Sequence, residues 1–145
     1  MLFPNPGLFG LFLACAYATV AIALPDNVKL NPDSLRFAQE LIEQGHFVAD
    51  KKNNWSEHQP SAEEENKFIR SHGFAEYASW HLGIDDRRGE KTKARCKFPF
   101  GDFKNVRRSA LIAIRSRARE YGYGEIESAA AELQQALEQK ANGSR

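Results

Sequence analysis

Cysteine is nearly absent: the 145-residue chain holds Cys15 and Cys96, and Cys15 lies in an apolar run at its start. With that run removed, Cys96 stands alone, which excludes an intramolecular disulfide and fits a reducing compartment. The four histidines, His46, His58, His72 and His81, include no pair at the i, i+4 spacing of a zinc helix. No phosphate-cradling glycine loop occurs, and no nucleophile is set beside a base. Helix-turn-helix spacing, zinc-finger spacing and aromatic sheet motifs are lacking too, so nothing supports sequence-specific readout of nucleic acid. Repeats and low-complexity tracts are missing.

These absences predict no catalytic residue, no metal and no cofactor. The enzyme class survives in one form, an acid–base or metal group built from His58, His81 and Asp85. His72 and Cys96 are further imaginable ligands, and Glu57 or Asp86 further acid–base partners. Cys96 sits between Arg95 and Lys97, which would lower its pKa if it were exposed, but it reads more simply as a chance loop cysteine.

What the chain does have is segregated charge. Residues 26–86 carry 6 basic and 12 acidic side chains, residues 87–119 carry 12 and 2, and residues 120–145 carry 2 and 5. A net charge of +1 therefore conceals an acid–base–acid order, with +10 concentrated between Arg87 and Arg119. Such asymmetry serves either a partner or internal pairing between segments.

Residues 1–23 read as a leader. Gly7 to Leu24 has no charge, and Ala21-Ile22-Ala23 matches the small-x-small pattern cut after Ala23, although no Lys or Arg precedes Lys29. A genuine signal places the protein outside the cell; a true start near Val28 makes it cytoplasmic. A stable membrane span is disfavoured, because about 18 residues with two glycines is short.

The domain, residues 29–140, is expected to be all-α, with four to five helices and one long ordered loop. Asn31-Pro32-Asp33-Ser34 starts a helix that Gly45 closes. Ser61 to Glu64 is a capping box for a second helix ending at Gly73. A short third helix spans Phe74 to Leu82 and is stopped by Gly83, and residues 84–101 form the loop. Asp102 caps a strong helix from Phe103 to Tyr121, stopped by Gly122, and the last helix runs from Glu125 to Lys140. Residues 141–145 are a flexible tail. Trp55 and Trp80 are expected in the core.

On the Phe103–Tyr121 helix, Lys104, Arg107, Arg108, Arg115 and Arg119 fall within an arc of about 120°. Phe103, Val106, Ala110, Ala113, Ile114 and Tyr121 take the neighbouring arc. The cationic stripe is roughly 22 Å long, enough to track phosphates. The plain counter-reading is a solvated face paired with Glu63–Glu65 or with the acidic tail. Arg117 falls on the apolar arc and is expected to be partly buried, with Asp85 or Asp86 as partner.

Four motifs carry a resemblance: Trp55-Ser56-Glu57-His58-Gln59-Pro60-Ser61, Glu65-Asn66-Lys67-Phe68-Ile69, Tyr77 to Asp85, and Lys97-Phe98-Pro99-Phe100-Gly101-Asp102-Phe103. With them the chain resembles, from about Leu30 to Leu137, a family of short, mostly bacterial proteins without an assigned function. The resemblance implies no activity, cofactor or catalytic residue. It implies a start near Lys29, an aromatic at the position of Cys96 and a histidine at that of Arg108, so neither a cysteine mechanism nor the full +10 belongs to the family. A shorter resemblance links the Phe-Pro turn and the Arg-Ala-rich helix to a segment beside phage capsid-maturation proteases.

The functional expectation is a non-enzymatic binding module that offers Lys104, Arg107, Arg108, Arg115 and Arg119 to an acidic protein or nucleic acid. The alternative is a structural or assembly protein whose charge blocks pair between copies. Trp55, Trp80, Asp102 and Arg117 are the expected structural residues.

Overall fold

The computed structural model describes residues 28–144, so the expected leader and the expected cleavage after Ala23 lie outside the described residues. Within them the expectation of an all-α chain is overturned, because five short strands in two sheets share the fold with the helices. In order these are β1 (Val28–Leu30), α1 (Pro32–Glu43), β2 (Phe47–Val48), the single turn α2 (Trp55–His58) and α3 (Ala62–Ser79). β3 (His81–Asp85), β4 (Cys96–Pro99), β5 (Val106–Arg107), α4 (Arg108–Tyr121) and α5 (Gly124–Gly143) follow. Helix α5 therefore reaches into the segment expected to be a flexible tail. No helix among the described residues is long and apolar enough to cross a membrane.

The helix starts at Asn31 and Ser61 and the glycine breaks at Gly73 and Gly122 stand where the sequence puts them. Asn31 accepts the Ser34 amide ahead of Pro32, and Ser61 and Glu64 cap each other's backbone at the start of α3. Gly73, at φ 87°, breaks α3 into two helical stretches. Gly122 ends α4 in the left-handed conformation.

Between residues 80 and 101 the structure departs from the expected helix and loop. Instead of a helix to Leu82 and a long loop, Trp80 closes α3 and the chain enters β3 directly. β3 is the middle strand of β1-β3-β4, antiparallel to both neighbours, with Val28 opposite Asp85 and Gly83 opposite Lys97. Gly83 is a close crossing, not a helix stop. A Cβ at that position would stand 2.9 Å from Phe98 Cδ2 and 3.0 Å from Val28 Cγ1. β2 and β5 pair in parallel, Phe47 opposite Val106. Strands of two to five residues are too short for alternation to register in a sequence.

The core joins α1, β3, the 100–106 turn and the α4–α5 pair through Ile42, Trp80, Leu82, Phe100, Leu111 and Leu133. Trp80 meets Phe37 edge-on at 5.2 Å and Phe100 at 5.5 Å. Gly101 passes so close that a Cβ would sit 2.6 Å from the Trp80 ring.

The sheet makes a testable claim about Gly83. Overpacking at such a crossing costs about 1–3 kcal/mol. Gly83→Val is expected to lower unfolding free energy in urea by that amount or more. Gly124→Ala, where nothing lies within 4 Å, is expected to shift it by less than about 0.5 kcal/mol. Equal, small effects would argue against the strand.

Candidate functional site

The basic segment is organised around an aspartate that the sequence does not advertise. Asp50, in the loop after β2, accepts the Ser109 amide and the Ser109 hydroxyl, each at 2.8 Å, and Arg107 Nη1 at 3.2 Å. Its backbone carbonyl accepts Arg108 Nη1 at 3.3 Å. Asp50 thus caps α4 from 59 residues away, placing a carboxylate against the positive end of the helix.

Asp102, expected as that cap, does something else. The helix begins at Arg108, and Asp102 closes the preceding turn, accepting the Lys104 and Asn105 amides at 3.1 and 2.8 Å. It also takes Arg107 Nε at 2.8 Å. Burial works to raise the Asp102 carboxyl pKa, but those amides and the guanidinium outweigh it and hold the group below its usual range.

The expected stripe on α4 is dismantled by these contacts. Lys104 lies in the turn and Arg107 in β5, its side chain only 14% exposed between Asp50 and Asp102. The other three lie along the antiparallel seam with α5. Arg108 Nε donates to Glu138 at 2.6 Å, Arg115 Nη1 to Gln134 at 2.8 Å and Arg119 Nε to Glu127 at 2.7 Å. Farther back, Lys93 pairs with Glu65 and Arg95 with Asp86. The acidic segments on either side therefore neutralise much of the +10. Arg117, expected to be partly buried, has a side chain 62% exposed that lies over the Tyr121 ring at 5.7 Å and 3.9 Å from Glu120.

His81, Asp85 and Cys96 do not form an acid–base or metal group. His81 is buried, with its Nδ1 2.8 Å from the Tyr77 carbonyl oxygen, and desolvation lowers its pKa to about 4. Four residues farther along β3, about 13 Å at strand rise, the Asp85 carboxylate is held by Arg87. Nε and Nη2 of that arginine each donate at 3.0 Å, and the pKa falls to about 2. His58 is exposed at the end of α2. Cys96 is buried, which outweighs Arg95 and Lys97 and pushes its thiol up to about 11. Beside it, Tyr77 donates to Glu65, an acceptor that together with burial raises the phenol pKa. No group of three metal-ligating side chains occurs among the described residues.

What remains is a groove of about 580 Å³ where α2 and the C-terminal half of α4 face β3 and β4. Trp55, Phe98, Tyr121 and Tyr123 line it together with Arg87, Arg88, Lys97 and Arg117, and Asp85 is its one carboxylate. Trp55 is half-buried here and not in the core, whereas Trp80 is a core residue as expected. Arg88 leans toward Asp85 at 3.7 Å, and Lys97 has no ion pair among the described residues. Only the sheet brings the Asp85–Arg88 turn to Lys97 and Phe98, so no sequence spacing announces this site. Searches of family models, curated proteins and solved structures find no match for the chain.

Two outcomes test this geometry. Asp50→Ala removes a helix cap and leaves Arg107 half-paired, and should cost about 2–4 kcal/mol in thermal unfolding. It should be non-additive with Ser109→Ala, since the two share hydrogen bonds; simple additivity would contradict the hub. His81 is neutral when folded down to about pH 4 but protonates near pH 6.5 when unfolded. The unfolded state therefore binds more protons between those values, and stability falls as pH falls through that window, by roughly 3 kcal/mol in full. His81→Leu should flatten the slope between pH 6.5 and 4.5 in urea titrations.

Proposed function

We propose that the protein is a non-enzymatic binding module for an acidic partner, seated in the groove between α2, β3, β4 and α4. This keeps the class of partner expected from the sequence but moves its site. The carrying observation is the division of the charge. Arg107, Arg108 and Arg119 are paired with the carboxylates of Asp50, Asp102, Glu138 and Glu127, and Arg115 donates through Nη1 to Gln134, its Nε buried without a partner among the described residues. Arg87, Arg88, Lys97 and Arg117 surround one concavity with a single acid, a lining charge of +3. A concave wall of one sign focuses its potential and draws in an opposite charge. Assembly through charge blocks between copies has less support, because the blocks already pair within one chain.

Binding to heparin and to poly-L-glutamate across a salt series tests the reading. Charge-assisted contacts are each worth about 1.5–3 kcal/mol. Lys97→Gln combined with Arg117→Gln is therefore expected to weaken binding at least tenfold and to flatten the salt dependence. Arg119→Gln should leave both nearly unchanged. Binding indifferent to salt, or more sensitive to Arg119→Gln than to the groove pair, would overturn it.

A further inference from the structure

We infer that the acidic partner is a nucleoside phosphate, taken either free or as part of a single strand, with its base against Trp55 and its phosphate on Lys97, Arg88 and Arg117. The inference rests on the groove being the binding seat and goes further by naming what fills it. A purely electrostatic site needs no rings, yet four aromatic side chains share this wall with the four cations.

Their arrangement separates filler from platform. Phe98 packs edge-on against Tyr123 at 5.8 Å, and Tyr121 lies 6.1 Å from Tyr123 under the Arg117 guanidinium. These three rings hold one another as a wall. Trp55, on the single turn α2, is half-buried, lines the groove and has no ring partner among the described residues. An indole that faces a cationic groove with no ring against it offers a stacking face, and every nucleobase has a π-face to put there. The other indole, Trp80, is buried and in contact with the rings of Phe37, Phe100 and Phe103.

Size and charge agree. A groove of about 580 Å³ has room for a small-molecule ligand. At one end of its lining are Arg87 and Arg88, directly after β3, and across the sheet Lys97 stands opposite Gly83. Arg117 comes from α4. Phosphate oxygens would thus be met from the turn after β3, from within β4 and from α4. Arg87 is committed to Asp85, and so sets the carboxylate aside instead of leaving it to repel an anion.

Intrinsic tryptophan fluorescence of the full chain distinguishes the outcomes. The probes are adenosine monophosphate, an oligothymidylate, inorganic phosphate and poly-L-glutamate. Saturable quenching by the monophosphate or the oligonucleotide is expected, from Trp55 and not from buried Trp80, with inorganic phosphate producing none. Trp55→Leu should weaken nucleotide binding about tenfold or more while leaving poly-L-glutamate binding within about twofold. Lys97→Gln, which removes a cation without an ion pair among the described residues and keeps the length of its stem, should weaken both ligands with unchanged melting. A strand that binds at least tenfold tighter per site than the mononucleotide assigns the source to single-stranded nucleic acid, and equal affinities assign it to the free nucleotide. Binding of poly-L-glutamate without any nucleotide quenching or competition would overturn the inference and make the partner an acidic peptide, leaving the module reading in place. Binding of none of these probes would sink both.

Discussion

The carboxylate of Asp50 is the contact on which the rest of the basic segment depends. It satisfies the Ser109 amide in the first turn of α4, the Ser109 hydroxyl and a guanidinium at once, with its side chain only 6% exposed. Orphan amides at a helix start must find acceptors, and a buried carboxylate must find cations; each requirement answers the other here. Once α4 is fixed at that end, its seam with α5 follows, and Arg108, Arg115 and Arg119 fall beside Glu138, Gln134 and Glu127. The C-terminal half of α4 is then presented to β3 and β4, with Arg117 turned toward the groove.

Charge in this protein therefore does two jobs in two places. Along α4 it is largely internal, joining a basic middle segment to acidic segments before and after it. Exposed members of such pairs contribute little each, about 0–1 kcal/mol, so the seam with α5 owes more to Leu111, Ile114, Leu133 and Leu137. The pairs matter by occupying donors that would otherwise look available. At the groove the same residue types stand around one saturated carboxylate and a set of rings.

The legibility of the fold followed the range of the interactions. Caps and glycine stops at Asn31, Ser61, Gly73 and Gly122 act over a few residues, and each was visible in the sequence. The sheet was not, because β1, β3 and β4 hold three to five residues each and their pairing joins Val28 to Asp85 and Ile84 to Cys96. In the sequence Gly83 has the look of a helix stop, since a glycine forced by a crossing neighbour resembles any other. Asp102 has the chemistry of a cap, but the helix it precedes starts six positions later. Asp50 carried no signal at all, for its partners lie 57 to 59 residues on. For the site, the charge block Arg87–Arg119 was legible as a block. Its division between α4 and the groove needed the tertiary fold, as did the role of Trp55.

That division is the central claim, and the arginine side chains report on it individually. Two-dimensional spectra of the guanidinium Nε–H groups, recorded with and without a short acidic ligand, test it most directly. In the free protein the Nε–H groups of Arg107, Arg108 and Arg119, each donating to a carboxylate, should be protected and should stay in place on titration. The Arg117 and Arg88 signals should exchange quickly when free and shift on binding. The account is contradicted if the shifts appear on Arg108 and Arg119 while Arg88 and Arg117 remain unmoved.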